Sequence, residues 1–197
     1  MSNFWRDAAP HRGIIINAFP HMIKLILGLG NPGARYAKTY HNAGRLTVQA
    51  LLKISGAPEA ELRATPWFSY AKTSDGILAE SKVFMNHSGR AARAALKLFH
   101  LTPAELLVVQ DDSDLALGKT KLVFGRGAAG HHGVESIIQE LGSNQFWRLR
   151  IGTRARPGKA GEFALRRMSP AYQKIIYGAA AGLMAKVKEK TRPGGVA

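Results

Sequence analysis

His41 stands in the stretch His41-Asn42-Ala43-Gly44, ten residues after the Asn31 of Gly30-Asn31-Pro32-Gly33. That spacing puts an imidazole and a primary amide on one loop system behind an apolar run. Histidine is the side chain suited to accepting a proton near neutral pH. Such a base needs an acceptor for its second ring nitrogen, and Val108-Val109-Gln110-Asp111-Asp112-Ser113-Asp114-Leu115 offers carboxylates where another apolar run ends. Asp111 is the acid nearest that strand. Plainer readings stand beside these: His41 as a hydrogen-bonded loop histidine, and the acidic cluster as a solvated turn or a magnesium site.

Further candidates recur at the ends of apolar runs. Phe84-Met85-Asn86-His87-Ser88-Gly89 presents Asn86 between a strand and a helix start, where its alternative role is a helix N-cap. His131 and His132 follow a glycine-rich segment at a helix entry, close to an anion-binding pattern. Adjacent histidines with no cysteine and no carboxylate at ligand spacing make a poor metal site. His11, His21, His87 and His100 have no evident partner in the sequence.

The elements that must position these groups are legible in outline. Residues 22–27 form a short apolar run ended by glycine and read as a buried strand. Residues 45–54 carry apolar side chains at helical spacing. Segments 67–72 and 77–84 flank Ser74-Asp75-Gly76, a hairpin signal, so the sheet is not purely parallel. Residues 91–99 make an alanine-rich helix, and Thr102-Pro103-Ala104-Glu105 is a capping-box turn. Strands are predicted at 106–109, 120–124 and 146–152, with a glycine-rich loop at 125–133 leading into a helix at 134–141. A last helix starts at Ser169-Pro170 and runs to about residue 188. The alternation predicts one α/β domain over residues 22–188, a twisted mixed sheet flanked by helices. Residues 1–21 read as an N-terminal extension, either a transit segment or the result of a misplaced start with Met22 as first residue. Residues 154–161 are basic and turn-rich, and 189–197 read as a frayed basic tail.

Gly28, Gly30 and Gly33 match the spacing of a dinucleotide-binding turn. That turn works by opening a helix onto a pyrophosphate, and no helical stripe follows here. Pro32 also lacks an N–H donor, and no acidic residue stands about twenty positions on. The glycines are better read as a turn that presents Asn31 to a cleft.

Composition narrows the partners. The 197 residues carry 28 Lys and Arg against 13 Asp and Glu, a formal charge of +15, with no cysteine. So large an excess points to a polyanion, nucleic acid above all, with a merely solvated basic surface as the alternative. The lack of cysteine excludes disulfides, thiol catalysis and cysteine-bound zinc, and it suits a reducing compartment. No window has the apolar length of a membrane span.

In order, Gly28-Leu29-Gly30-Asn31-Pro32-Gly33, Tyr36, His41-Asn42-Ala43-Gly44, Phe84-Met85-Asn86, Ser88-Gly89, Asp111-Asp112-Ser113-Asp114-Leu115, Gly130-His131-His132-Gly133 and Arg148-Leu149-Arg150-Ile151-Gly152 resemble the bacterial-type peptidyl-tRNA hydrolase family. The resemblance implies a phosphorylase/hydrolase-like fold and hydrolysis of the ester between a released peptide and its tRNA. It implies a monomer in the cytoplasm, without metal or cofactor. By it, His41 activates water, Asp111 holds the imidazole, and Asn31 distinguishes N-blocked from free aminoacyl-tRNA. Tyr36, Phe84 and Asn86 contact the tRNA end or the peptide, and Lys121 and Arg150 match basic positions. Arg126, Arg148, Arg154 and Arg156 are added as candidates for the phosphate-facing patch. Two departures are expected to matter: His132 stands where the family usually has Asn, and the final helix is expected to end early. The rival is a homologue that binds RNA without hydrolysing anything.

Overall fold

The computed structural model describes residues 23–56, 62–154 and 164–191. The N-terminal extension, Arg156 with most of the basic turn-rich segment, and the last six residues lie outside them.

Four strands form the parallel centre of the sheet: β1 (Leu25–Gly28), β4 (Gly76–Ser81), β5 (Leu106–Ala116) and β7 (Trp147–Arg154). β3 (Phe68–Thr73) and β2 (Arg63–Ala64) continue it antiparallel on one side, and β6 (Thr120–Phe124) closes the other, giving the order β2-β3-β4-β1-β5-β7-β6. Both faces are covered, which is why the central strands read as continuous apolar runs. Alternate residues divide between two cores. Ile26, Leu107, Val109, Leu149 and Ile151 pack under α1 (Ala43–Ile54) and α4 (Pro170–Thr191). Leu25, Leu27, Leu106 and Val108 pack under α2 (Ser88–Phe99) and α3 (His132–Leu141). Each fully buried leucine here, Leu51 of α1 among them, contributes roughly 1.5–3 kcal/mol relative to exposure.

The hairpin at Ser74-Asp75 forms as expected, with Thr73 opposite Gly76 at φ +128. The capping box at Thr102 and Glu105 forms too, opening a 3-10 turn rather than an α-helix. Ser169 Oγ accepts from the Tyr172 N–H and starts α4. That helix runs to Thr191, further than the sequence suggested. β5 also outruns its predicted end at 109. Its ladder with β7 continues to Asp112, shifts register, and resumes at Ala116, so the acidic cluster sits at an irregular strand tip. β2 was not predicted, since two exposed residues carry no alternation to read.

Gly28 at the end of β1 and Gly44 in α1 are there for close approach. No helix opens at Gly33; the chain turns through residues 33–38 and α1 begins only at Ala43. A Cβ on Gly28 would fall 2.5 Å from the Gly44 carbonyl oxygen, and one on Gly44 would fall 2.0 Å from the Val109 oxygen. The first turn of α1 is thereby pressed onto β1 and β5, and this seats the His41 turn over the tip of β5. Gly44→Ala puts its methyl against backbone that cannot give, and is expected to cost about 3 kcal/mol of stability. Gly33 has φ +93 and open space around it, so Gly33→Ala should cost only about 1 kcal/mol. Urea unfolding of the two variants measures the difference, and equal midpoints would refute the close contact.

Candidate active site

The pocket lies at the C-terminal ends of the parallel strands, where layered α/β sheets place their ligands. It measures about 250 Å³ and is lined by His41, Gln110, Asp111, Asp112, Asp114, the 128–132 loop, Arg150 and Ala164, among others. His41 sits in a 3-10 turn, Tyr40–Asn42, that leads straight into α1. The backbone on both sides of this turn is anchored: Met168 N–H donates to the Lys38 carbonyl at 2.7 Å and Tyr40 N–H to the Arg166 carbonyl at 3.1 Å.

At the floor, His41 Nδ1 lies 2.9 and 3.0 Å from the two carboxylate oxygens of Asp111. The expected pairing of these residues, 70 positions apart, is therefore in place. Asp111 has a second partner that the sequence reading did not assign: His131 Nε2, at 3.1 Å. The other nitrogen of His131 is the N-cap of α3, accepting from Gly133 N–H at 3.1 Å and Val134 N–H at 3.3 Å. A ring that accepts at Nδ1 carries its hydrogen on Nε2, so His131 donates to Asp111. The available signal was its place one residue before a helix that lacks Ser, Thr, Asp or Asn at its start.

Burial and hydrogen bonding shift both partners. Burial alone would raise Asp111, but the hydrogen bonds and charges of His131 and His41 prevail and hold it well below the usual carboxylate range. Burial would lower His41, yet the hydrogen bond and charge of Asp111 outweigh it and raise the imidazole above its ordinary value. A carboxylate that stays ionised thus faces an imidazole that binds a proton readily.

His41, Asp111 and His131 place ligand atoms within 4.8 Å of one another, a spacing a metal ion could use. The protons argue against it. A cation on His131 Nε2 would require the hydrogen to move to Nδ1, against two amide N–H donors. The magnesium reading of the acidic cluster fares no better. Asp112 pairs with Arg150, and Asp114 lies 3.9 Å from Arg150 and 3.7 Å from Arg154.

Asn31 is buried and fixed by three hydrogen bonds. Its N–H donates to Asn42 Oδ1 at 2.8 Å, its carbonyl accepts from Asn42 Nδ2 at 3.0 Å, and its own Oδ1 accepts from Met85 N–H at 2.8 Å. Asn42, unassigned in the sequence, is the clamp. The Met85 bond identifies the Asn31 side-chain oxygen, so the group left to offer a ligand is its Nδ2. It also ties Asn31 to the turn that carries Phe84 and Asn86, both exposed. Asn86 lies inside a 3-10 turn, Met85–His87, and is not the N-cap of α2, which starts at Ser88. Tyr36 meets Phe84 edge to face at 6.2 Å, forming an aromatic pair beside Asn31.

The basic candidates divide. Lys121 is exposed on β6 and in register with Arg150 of β7. Arg126 is exposed as well, and His132 is exposed at the pocket wall, 3.6 Å from Glu135. Arg148 is a correction. It is 2% exposed, and its Nη2 donates to the Gly127 carbonyl at 2.8 Å, so it pins the glycine-rich loop from beneath rather than facing solvent. Arg154 is spent in part on the Ser113 and Asp114 carbonyls.

The chain can be compared with known proteins on this basis. A sequence profile described as peptidyl-tRNA hydrolase matches residues 25–194. A peptidyl-tRNA hydrolase of Solidesulfovibrio magneticus is 43% identical over 142 residues, covering 65% of this chain and 67% of its own. One of Gloeobacter violaceus is 42% identical over 138 residues, covering 68% and 70%. The crystal structure of peptidyl-tRNA hydrolase from Acinetobacter baumannii superposes with a TM-score of 0.76 at 30% identity, over 87% of this chain and 89% of that one. The agreement extends from the first strand to beyond the last helix, and the chain belongs to the peptidyl-tRNA hydrolase family.

Proposed function

We propose that this hydrolase cleaves the ester joining a peptide to the 3′ ribose of a tRNA, using water activated by His41, and that it works as a cytoplasmic monomer. The observation that carries the reading is the two-oxygen grip of Asp111 on His41 Nδ1. With Nδ1–H donated to the carboxylate, Nε2 keeps its lone pair for a water in the pocket. Water gives a proton to Nε2 as its oxygen bonds to the ester carbon. The tetrahedral adduct then breaks the bond to the ribose oxygen, which takes the proton back from the imidazolium. Asp111 stabilises that imidazolium, while His131 keeps Asp111 in place throughout.

Asn31 Nδ2 offers a donor to the carbonyl of the first peptide bond. An N-blocked substrate has that carbonyl and free aminoacyl-tRNA lacks it. Asn86 and the Tyr36–Phe84 pair receive the peptide or the tRNA end. Lys121 and Arg126 face the phosphates, while Arg150 and His132, which line the pocket, contact the esterified end of the tRNA. Binding through such contacts weakens steeply with salt.

The purified protein is expected to release N-acetyl-aminoacyl groups from tRNA, less efficiently at higher salt, and to leave free aminoacyl-tRNA intact. His41→Ala should lose about 10²–10⁴-fold in kcat. If His41→Ala kept its rate, or the wild type bound tRNA without cleaving it, the base assignment or the hydrolase reading would fall. The pH profile gives an independent check. His41 works unprotonated and its pKa is raised, so activity should climb with pH through a midpoint above about 6.5. In Asp111→Asn the raising influences are gone and burial remains, so the midpoint should drop below about 6.5 while the rate falls. An unmoved midpoint would mean that Asp111 does not govern His41.

A further inference from the structure

A groove of about 620 Å³ lies outside the catalytic pocket, lined by Trp67, Arg90, Arg93, Ala94, Lys97 and Glu140. Its position follows from the chain. Lys82 N–H donates to the Trp67 carbonyl at 2.9 Å, which sets the indole beside the end of β4, two residues before Phe84. α2 then leads away from the Phe84–Asn86 turn, with Arg90 one turn in and Arg93 and Lys97 further along the same side. The groove therefore begins at the rim of the proposed substrate site and runs away from it.

Its chemistry is specific. Trp67 is 38% exposed, and the Arg90 guanidinium sits 5.9 Å from its centroid. Arg90, Arg93 and Lys97 are exposed and one helical turn apart, about 5.4 Å, which is on the scale of successive phosphates along one strand. Glu140, paired with Arg93 at 2.8 Å, is the single carboxylate in the lining among the described residues. Cations in a row beside an exposed aromatic face are what a nucleic-acid strand requires, with phosphates on the cations and a base on the ring.

We infer that this groove is a second RNA-contact surface, which holds a strand of the tRNA away from its esterified end. The inference rests on the reading of the substrate as a tRNA ester. Continuity with the substrate site favours RNA over an acidic protein partner, since the groove starts at the Phe84–Asn86 turn proposed to receive the tRNA end.

The test uses the full chain carrying Trp5→Phe and Trp147→Phe, so that Trp67 is the sole indole, titrated with uncharged tRNA while fluorescence is read. Uncharged tRNA should change Trp67 emission. Adding Arg90→Ala, Arg93→Ala and Lys97→Ala together should weaken binding about tenfold at low salt and flatten the log–log salt dependence by about 2, at roughly 0.7 per phosphate contact. Glu140→Gln removes the opposing charge and should tighten binding two- to threefold, a gain that a purely structural Arg93–Glu140 bridge would not give. The inference is overturned if tRNA binds both proteins equally with Trp67 emission unmoved, or if polyglutamate changes that emission and tRNA does not. Hydrolysis of N-acetyl-aminoacyl-tRNA is followed in parallel. Cleavage without a Trp67 response defeats the groove alone; a Trp67 response without cleavage defeats the hydrolase reading alone.

Discussion

The rest of the site depends on one buried carboxylate. Asp111 is 6% exposed, and an ionised acid so placed is costly unless its oxygens receive hydrogen bonds. Its two imidazole partners come from different layers. His41 arrives on the turn that enters α1 over one face of the sheet, and His131 arrives at the start of α3 over the other. One strand tip thus fixes the base relative to both helical layers. Because His131 is also the cap of α3, the tautomer that supports Asp111 is set by backbone N–H groups rather than by another mobile side chain.

Such an arrangement tolerates little slack, and the small residues around it explain how slack is excluded. Gly28 and Gly44 let α1 touch the strands. Gly89 brings α2 against the Ser136 carbonyl of α3, where a Cβ would lie 2.2 Å away. Gly133 does the same against Met85, whose N–H holds Asn31. Of the glycines that looked like a phosphate motif, Gly28 and Gly30 therefore serve packing while Gly33 only turns the chain, and the packed ones help hold the amide and the imidazole in register. A proton-transfer pair works only at hydrogen-bond distance, so backbone contact at these positions translates directly into chemistry.

Much of this was legible because it rests on local patterns. A buried parallel strand has to be apolar on both faces, and residues 22–27 and 106–109 could be read that way. The Asp-Gly hairpin and the capping box announce themselves by type. The His41–Asp111 pair was accessible as a question of chemistry, since a base wants an acid and the acids stand at a strand end. His131 was missed because capping by a histidine ring has no strong signature, and its doubled role requires knowing that α3 begins above β5. Arg148 was misassigned for a related reason. A charge in a strand suggests surface, and only the fold reveals the glycine-rich loop lying across it.

The distribution of charge ties the pocket to the reaction proposed for it. The chain as a whole carries +15, yet among the described residues the pocket lining holds Asp111, Asp112 and Asp114 against one guanidinium, that of Arg150. Two like charges 4 Å apart repel by about 4 kcal/mol at an effective dielectric near 20, so a phosphodiester pressed to this floor meets net opposition. Its charge is welcome outside, at exposed Lys121 and Arg126. A neutral acyl ester suffers no such penalty beside Asp111. A polyanion carrying one ester is therefore sorted by electrostatics alone: its backbone is drawn to the basic exterior, and its uncharged linkage is the part that can settle against His41.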